Sequence, residues 1–299
     1  MVSTRIVSLV VTLGVSLGLL TGIATATASP APVLGPAQGD SLHLMSFNLR
    51  FAANTMPNSW SQRRPVMAEL LNRELPTVLG TQEGLSQQLQ DIDHDLPPQY
   101  DWIGIGREGG NRGEFAAIFY DTYRLSLRES GQFWLSDTPE VIGSTTWGND
   151  VPRMATWARF KDRRTSKEFL TVNTHFDNKS ENASQRSASL LRARINKFAT
   201  GLPVLLLGDF NDPAGNAPSY DILVTRGGMT DSWPSATRRL TPLYATYHGY
   251  RRIRPNGNRI DWILTKGAVT VTSAAIDTFA KNGQFPSDHF PIHASVTLN

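Results

Sequence analysis

Leu42 to Asn48 alternates apolar and polar residues, the pattern of a strand with one face buried. Phe115 to Tyr120, Phe169 to Thr174 and Pro203 to Gly208 are short apolar or β-branched runs that read as buried strands. Ile260 to Thr265 and Pro291 to Leu298 supply the last strands. Between these runs the period lengthens. Val66, Leu70 and Leu71 share one side of a helix over Gln62 to Leu75. Leu85, Leu89, Ile92 and Leu96 recur at helical spacing over Gly84 to Leu96, where Pro97-Pro98 stops the helix. Gln185 to Ala199 is a basic helix that turns Leu190, Leu191, Ile195 and Phe198 inward. Strand content exceeds helix content and the order is mixed, so an α/β sandwich fits better than a doubly wound parallel sheet.

The chain opens differently. Arg5, an apolar run from Ile6 to Ala24 and the small residues Ala26-Thr27-Ala28 read as a secretory signal peptide over residues 1–28, cleaved after Ala28. Gly14, Gly18 and Gly22 weaken the run as a membrane span, and no later segment is long and apolar enough to be one. Residues 29–40 are rich in Pro, Ala and Gly and read as a linker, which leaves residues 41–299 as one secreted domain.

Composition removes alternatives more than it selects one. With 40% apolar and 18% charged residues over 299 positions, collagen-like and disordered chains are excluded. Cysteine is absent, which excludes disulfides, thiolate nucleophiles, zinc ribbons and a lipidated cysteine. A formal charge of +3 is too small to attract polyanions by itself, so anion binding depends on where cations cluster. From Arg238 to Arg259 there are six arginines and no acid, with His248 and Tyr250 among them. The segment is either a phosphate-facing rim or a solvated loop whose arginines pair with acids from elsewhere.

Three local patterns lack the context their chemistry requires. Gly104-Ile-Gly106-Arg-Glu-Gly109 matches a dinucleotide fingerprint, but further glycines follow where a helix should begin. Gly14-Val-Ser16-Leu-Gly18 has nucleophile-elbow spacing inside the apolar leader. Asn178-Lys-Ser180 and Asn182-Ala-Ser184 read as polar loop with the form of glycosylation acceptors.

What remains is a series of acids, amides and histidines at or just beyond the carboxyl ends of candidate strands, where ligands gather in open sheets. They are Asn48, Glu83, His175, Asp209 with Asn211, Asp261, and Asp288-His289. Gathering several carboxylates is unfavourable unless a cation or substrate compensates. Oxygen donors with few histidines and no cysteine suit Mg²⁺ or Mn²⁺.

The ordered blocks Asn48, Gln82-Glu83, His175, Gly208-Asp209-Phe210-Asn211, Arg259-Ile260-Asp261 and Ser287-Asp288-His289 resemble the endonuclease/exonuclease/phosphatase superfamily, the deoxyribonuclease I-like fold, across essentially all of the domain. The resemblance implies a four-layer sandwich, with two mixed β-sheets face to face and helices outside. It implies a metal-dependent phosphoesterase site in which Glu83 is the principal metal ligand, with Asn48 and Asp288 beside it. Asp209 and Asn211 would position and activate water, and His289 would be oriented by Asp261. His175 would be the second histidine, paired with Glu114, and Arg153 would contact a substrate phosphate. Arg112 stands near Glu114 where nuclease relatives often carry a tyrosine, and His248 is a further substrate-binding candidate. A phosphorylated substrate is implied: nucleic acid, phospholipid headgroup or sugar phosphate, as monoester or diester. No obligate protein partner is implied, and a monomer is expected. Two other readings stay open, a catalytically silent module that binds phosphorylated ligands and a glycan-targeted hydrolase. The second would need a pair of carboxylates flanking a sugar, and gains if Trp134 and Trp147 line the groove.

Overall fold

The structure, a computed structural model, describes residues 31–299. The expected signal peptide lies outside these residues. In chain order the first strands are β1 (Leu42–Asn48), β2 (Val78–Gln82), β3 (Tyr100–Ile103) and β4 (Ile118–Asp121). There follow β5 (Leu125–Trp134), β6 (Met154–Asp162), β7 (Glu168–His175), β8 (Val204–Asp209) and β9 (Thr230–Asp231). The last are β10 (Arg238–Arg239), β11 (Asp261–Lys266), β12 (Val269–Ile276) and β13 (Ile292–Leu298). They form a seven-stranded sheet in the order β10-β12-β13-β1-β2-β4-β3 and a six-stranded sheet in the order β5-β6-β7-β8-β11-β9. Both are mixed: β1–β2 and β7–β8 pair parallel, while β1–β13 and β8–β11 pair antiparallel.

The two-residue period of a strand decides what each sheet face meets. On β1, Leu42 and Leu44 point into the core between the sheets, beside Leu205 and Leu207 of β8. Met45 and Phe47 point the other way, under helices α1 (Trp60–Glu74) and α2 (Ser86–Asp95). β1 was expected to be buried on one face, yet every residue of it is buried, because these helices roof its outer side. Helix α3 (Glu181–Ala199) covers the second sheet through Ala188, Leu191 and Ile195, with Leu190 and Phe198 packing half-buried at its margin. It begins four residues before the periodic run because Ser180 accepts the Ala183 N–H at 3.1 Å and caps it. Each large apolar side chain fully buried in these layers contributes roughly 1.5–3 kcal/mol.

The middle of the expected linker is tied to the domain. The N–H groups of Val33, Leu34 and Gly35 donate to the Glu74 carboxylate at 2.8, 3.1 and 3.0 Å. Nearby, His43 and His293 face each other at 2.8 Å, both buried. Among the described residues no helix is long and apolar enough to cross a membrane.

Candidate active site

The catalytic candidates converge through strand register. His175 closes β7, Asp209 closes β8, and the two are paired across the ladder. Asp261 is the partner of Asp209 on its other side. It opens β11 and does not close it, contrary to the sequence expectation; β11 runs antiparallel, so its first residue reaches the same end of the sheet. Asp288 and His289 likewise precede β13, which runs antiparallel to β1. Asn48 ends β1 beside Gln82, one residue before Glu83.

Asp209 lies at the centre and is buried. The Asn211 N–H donates to one of its oxygens at 2.9 Å and the Asn48 amide to the other at 2.8 Å. That second oxygen is 3.5 Å from His175 Nε2 and 3.8 Å from His289 Nε2. Burial, then repulsion from Asp261, pushes the Asp209 carboxyl up to about 7. His289 Nδ1 lies 3.0 Å from Asp261. Burial acts to lower its pKa, but the carboxylates of Asp261 and Asp209 outweigh that and hold it up at about 10. Thr246 Oγ1 accepts the N–H groups of Ile260 and Asp261 at 2.9 and 3.2 Å and so anchors the start of β11.

His175 is the opposite case. Burial, with Arg153, His289 and Arg107 nearby, drives its pKa well below the usual histidine value. Arg153 faces its Nδ1 at 2.9 Å and the Asn211 amide faces its Nε2 at 3.0 Å. A neutral imidazole accepts at one nitrogen only, so donors on both sides disfavour a further proton. The site thus sets one histidine whose proton is disfavoured and one whose proton is favoured on either side of a single carboxyl group.

Glu83 sits just past β2 in the left-handed region, φ 62°, a conformation that costs an ordinary residue on the order of 1 kcal/mol. It accepts from the Asn48 amide at 3.0 Å and from the Phe51 N–H at 3.2 Å. Asn48 therefore bridges Glu83 and Asp209 as a donor, while its oxygen accepts the Arg50 N–H at 2.8 Å. Ser287 Oγ bonds the Asn48 carbonyl at 2.6 Å and brings Asp288 alongside, where burial raises its carboxyl. Ligand atoms of Glu83, His175 and Asp209 lie within 4.8 Å of one another, and a second such group joins Asp209, Asp261 and His289. His175 is faced by donors at both ring nitrogens and His289 is engaged by Asp261, so the carboxylates of Glu83 and its neighbour Asp288 are the groups that suit a hard cation. Asn173 fixes the two sheets relative to each other: its amide donates to Thr81 and Ala117 carbonyls at 2.8 Å and accepts from Gln82 at 2.7 Å.

Several expected residues stand elsewhere. Glu114 does not pair with His175; it takes Arg107 at 2.6 Å, while Arg153 stands behind His175 with Asp177 3.7 Å away. Arg112 is exposed and bonds the Glu108 carbonyl, away from the pocket, because the glycine loop turns Arg107 inward in its place. His248 is buried with its ring stacked on Phe290 at 4.1 Å. The neighbour that does approach the site is Tyr247, whose half-exposed ring lies 5.0 Å from that of His289. Trp134 and Trp147 are buried, which counts against the glycan reading; the Trp134 indole donates to the Arg107 carbonyl at 2.7 Å and backs that arginine. No spacing rule marks Arg107 or Tyr247: the first lies inside the discounted glycine motif, the second inside the arginine-rich segment. That segment divides. Arg259 pairs with Asp231 at 2.6 Å and Arg239 caps the Trp233 and Pro234 carbonyls, whereas Arg251, Arg252 and Arg254 stay exposed.

Beside Glu83 and His175 opens a pocket of about 230 Å³, lined also by Phe51, Arg107, Glu114 and Arg153, with Asp150 and Lys179 at its edge.

The model of the Endonuclease/Exonuclease/phosphatase family matches residues 45–289. A solved endonuclease/exonuclease/phosphatase from Bacteroides vulgatus is 33% identical, with a TM-score of 0.82 over 87% of this chain and 99% of that one. The mannosyl-6-phosphatase Bt3783 of Bacteroides thetaiotaomicron is 34% identical, with a TM-score of 0.79 over 86% and 99%. The uncharacterized protein L388 of Acanthamoeba polyphaga mimivirus is 32% identical over 161 residues, a match that takes in 51% of this chain and 59% of that protein. The chain belongs to the endonuclease/exonuclease/phosphatase family.

Proposed function

We propose that this protein is a secreted, divalent-metal-dependent hydrolase of phosphoric esters, using Mg²⁺ or Mn²⁺, whose leaving group is a small polar alcohol. The observation that carries this reading is the trio of His175, Asp209 and His289 gathered beside Glu83, with the two histidines held in opposite protonation states. Glu83 and Asp288 supply the carboxylate oxygens that suit a hard cation, with Asn48 beside them. An ion held there would polarise a phosphoryl oxygen.

The side chains account for the rest. Asp209, poised near neutral pH, takes the proton of the attacking water, which Asn211 helps to orient. His289 donates its Nε2 proton toward the charge that builds on the phosphoryl oxygens, and Asp261 holds its ring in place. Arg107 and Lys179 line the pocket that takes the ester's alcohol. Its mixed cationic and acidic wall suits a polyhydroxylated group, and the similarity to a mannosyl-6-phosphatase supports a sugar phosphate ahead of nucleic acid or lipid headgroup.

The test is phosphate release from mannose 6-phosphate, and p-nitrophenol release from a chromogenic monoester and diester, with Mg²⁺, with Mn²⁺ and with chelator. Cleavage that needs metal and is lost in Asp209→Asn and His289→Ala supports the proposal. No cleavage by a folded protein turns it to the silent binding module. Secretion rests on the N-terminal pattern, and recovery from the medium of a chain beginning at Ser29 would support it.

A further inference from the structure

Beyond His289, on the side away from His175, the chain forms a second concavity of about 420 Å³. Its walls are Tyr247, His248, Gly249, Arg251, Arg252 and Arg254, without a carboxylate. The loop is built onto the catalytic segment: the N–H groups of His248 and Gly249 donate to the Asp288 carbonyl at 2.9 and 3.1 Å, and Tyr247 bridges to His289. Gly249 and Tyr250 both take left-handed φ, 58° and 57°, and Arg251 N–H closes onto the His248 carbonyl at 2.9 Å. That tight reversal presents the three arginines together.

What marks them is that three arginines without an acidic partner line one concavity. Arg64, Arg124, Arg159, Arg186 and Arg194 each meet a carboxylate within 3.3 Å. Among the described residues Arg251, Arg252 and Arg254 form no ion pair; Arg254 reaches only the Tyr247 carbonyl, at 3.3 Å. Three guanidinium groups brought together repel one another, and a phosphate would satisfy several of their donors at once.

We infer that this groove is a subsite for a second phosphate, carried on the arm of the substrate that stays on phosphorus after hydrolysis. The inference rests on the phosphoric ester hydrolase reading and narrows its substrate class. The scissile phosphorus sits by Asp209, the leaving alcohol lies in the pocket on the His175 side, and the retained arm passes His289 and Tyr247 into the arginines. The substrate is then a diester whose retained arm bears a second phosphate. The exposed Tyr247 ring offers that arm a flat face.

Binding and cleavage are measured separately. Calorimetry with Mg²⁺ compares thymidine 3′,5′-bisphosphate with thymidine 5′-monophosphate, and glycerol 1,3-bisphosphate with glycerol 3-phosphate. The wild type is expected to prefer the bisphosphate by about tenfold or more in at least one pair, and raising KCl should erode the preference. Preference in both pairs assigns the subsite to any phosphate-bearing arm; preference in the nucleoside pair alone assigns it to a nucleic acid strand. The variant R251Q/R252Q/R254Q should lose the preference while cleaving the p-nitrophenyl ester of thymidine 5′-monophosphate within about twofold of wild type. R251Q/R252Q, which keeps the Arg254 bond to Tyr247, should lose most of it. Equal affinity within both pairs, or a preference that survives the triple substitution, overturns the subsite. Failure to cleave the ester while the arginine-dependent preference persists overturns the hydrolase reading and leaves the anion site standing.

Discussion

Asp261→Asn tests the electrostatic logic of the site most directly. Asparagine keeps the shape and can still accept from His289 Nδ1, so the change removes a charge and leaves the geometry. The ion pair spans 3.0 Å between ring nitrogen and oxygen, which puts the charge centres about 4 Å apart. At an effective dielectric of 20 their attraction is about 4 kcal/mol, or about three pKa units. His289 should then fall from about 10 to about 7. Asp209, freed of its repelling neighbour, should fall from about 7 toward the ordinary carboxylate range. In the proposed mechanism the protonated imidazole is the competent form, so lowering its pKa should move the alkaline limb of kcat/KM to lower pH. At about pH 8.5 the protonated fraction drops from nearly all to about 3%, a loss of about thirtyfold from this effect alone. A ¹⁵N-detected titration of His289 in the metal-free protein would measure the shift, and pH–rate profiles of both proteins would measure its consequence. If His289 titrates alike in both, or the alkaline limb stays in place, Asp261 does not hold the proton and the argument fails.

Four further outcomes are expected. Glu83→Gln should weaken Mg²⁺ binding, seen as a raised metal requirement that excess Mg²⁺ partly reverses, with folding intact by circular dichroism. Arg107→Ala should raise KM by about tenfold or more while Arg112→Ala changes it by less than about twofold, since only the first lines the pocket; the reverse ranking would move the pocket. Gly80→Ala should lower stability by about 1–3 kcal/mol in a denaturant titration, because its Cβ would stand 2.8 Å from Asn173 Oδ1 and 3.1 Å from Leu207 Cβ between the sheets. Acid should unfold the protein through His43 and Glu74. His43 is lowered by burial to about 3, so the unfolded chain binds more protons and stability falls as pH drops from 6.5 toward that value. Glu74, held down at about 2 against burial by His293 and the N–H groups of residues 33–35, adds to the loss below pH 4.5. His43→Leu should therefore flatten the decline of Tm between about pH 6.5 and 4.5, and an unchanged slope would exclude His43 as its source.

The elements themselves were legible along the chain because burial leaves a local period. Leu70 and Leu71 mark α1, Leu191 and Ile195 mark α3, and the run Val204 to Leu207 marks β8, each within a few residues of its observed bounds. The chemical residues were legible too, through the order of their short blocks. Their partners were not. Glu114 is expected beside His175 and instead holds Arg107. Polar residues in loops carry no period, and which of two nearby arginines turns inward depends on glycine backbone angles that composition does not reveal.

The sequence alone thus determined the family, the two-layer strand pattern with its covering helices, and the set of acids, amides and histidines available for chemistry. Tertiary structure decided which of them act on one another. His175, Asp209 and Asp261 are far apart in the chain and become neighbours only through the register of three strands. That register places one histidine against a guanidinium and the other against two carboxylates, and so separates their protonation states. Charge interactions fall off over a few ångströms, so such differences are set by distances that local sequence does not contain.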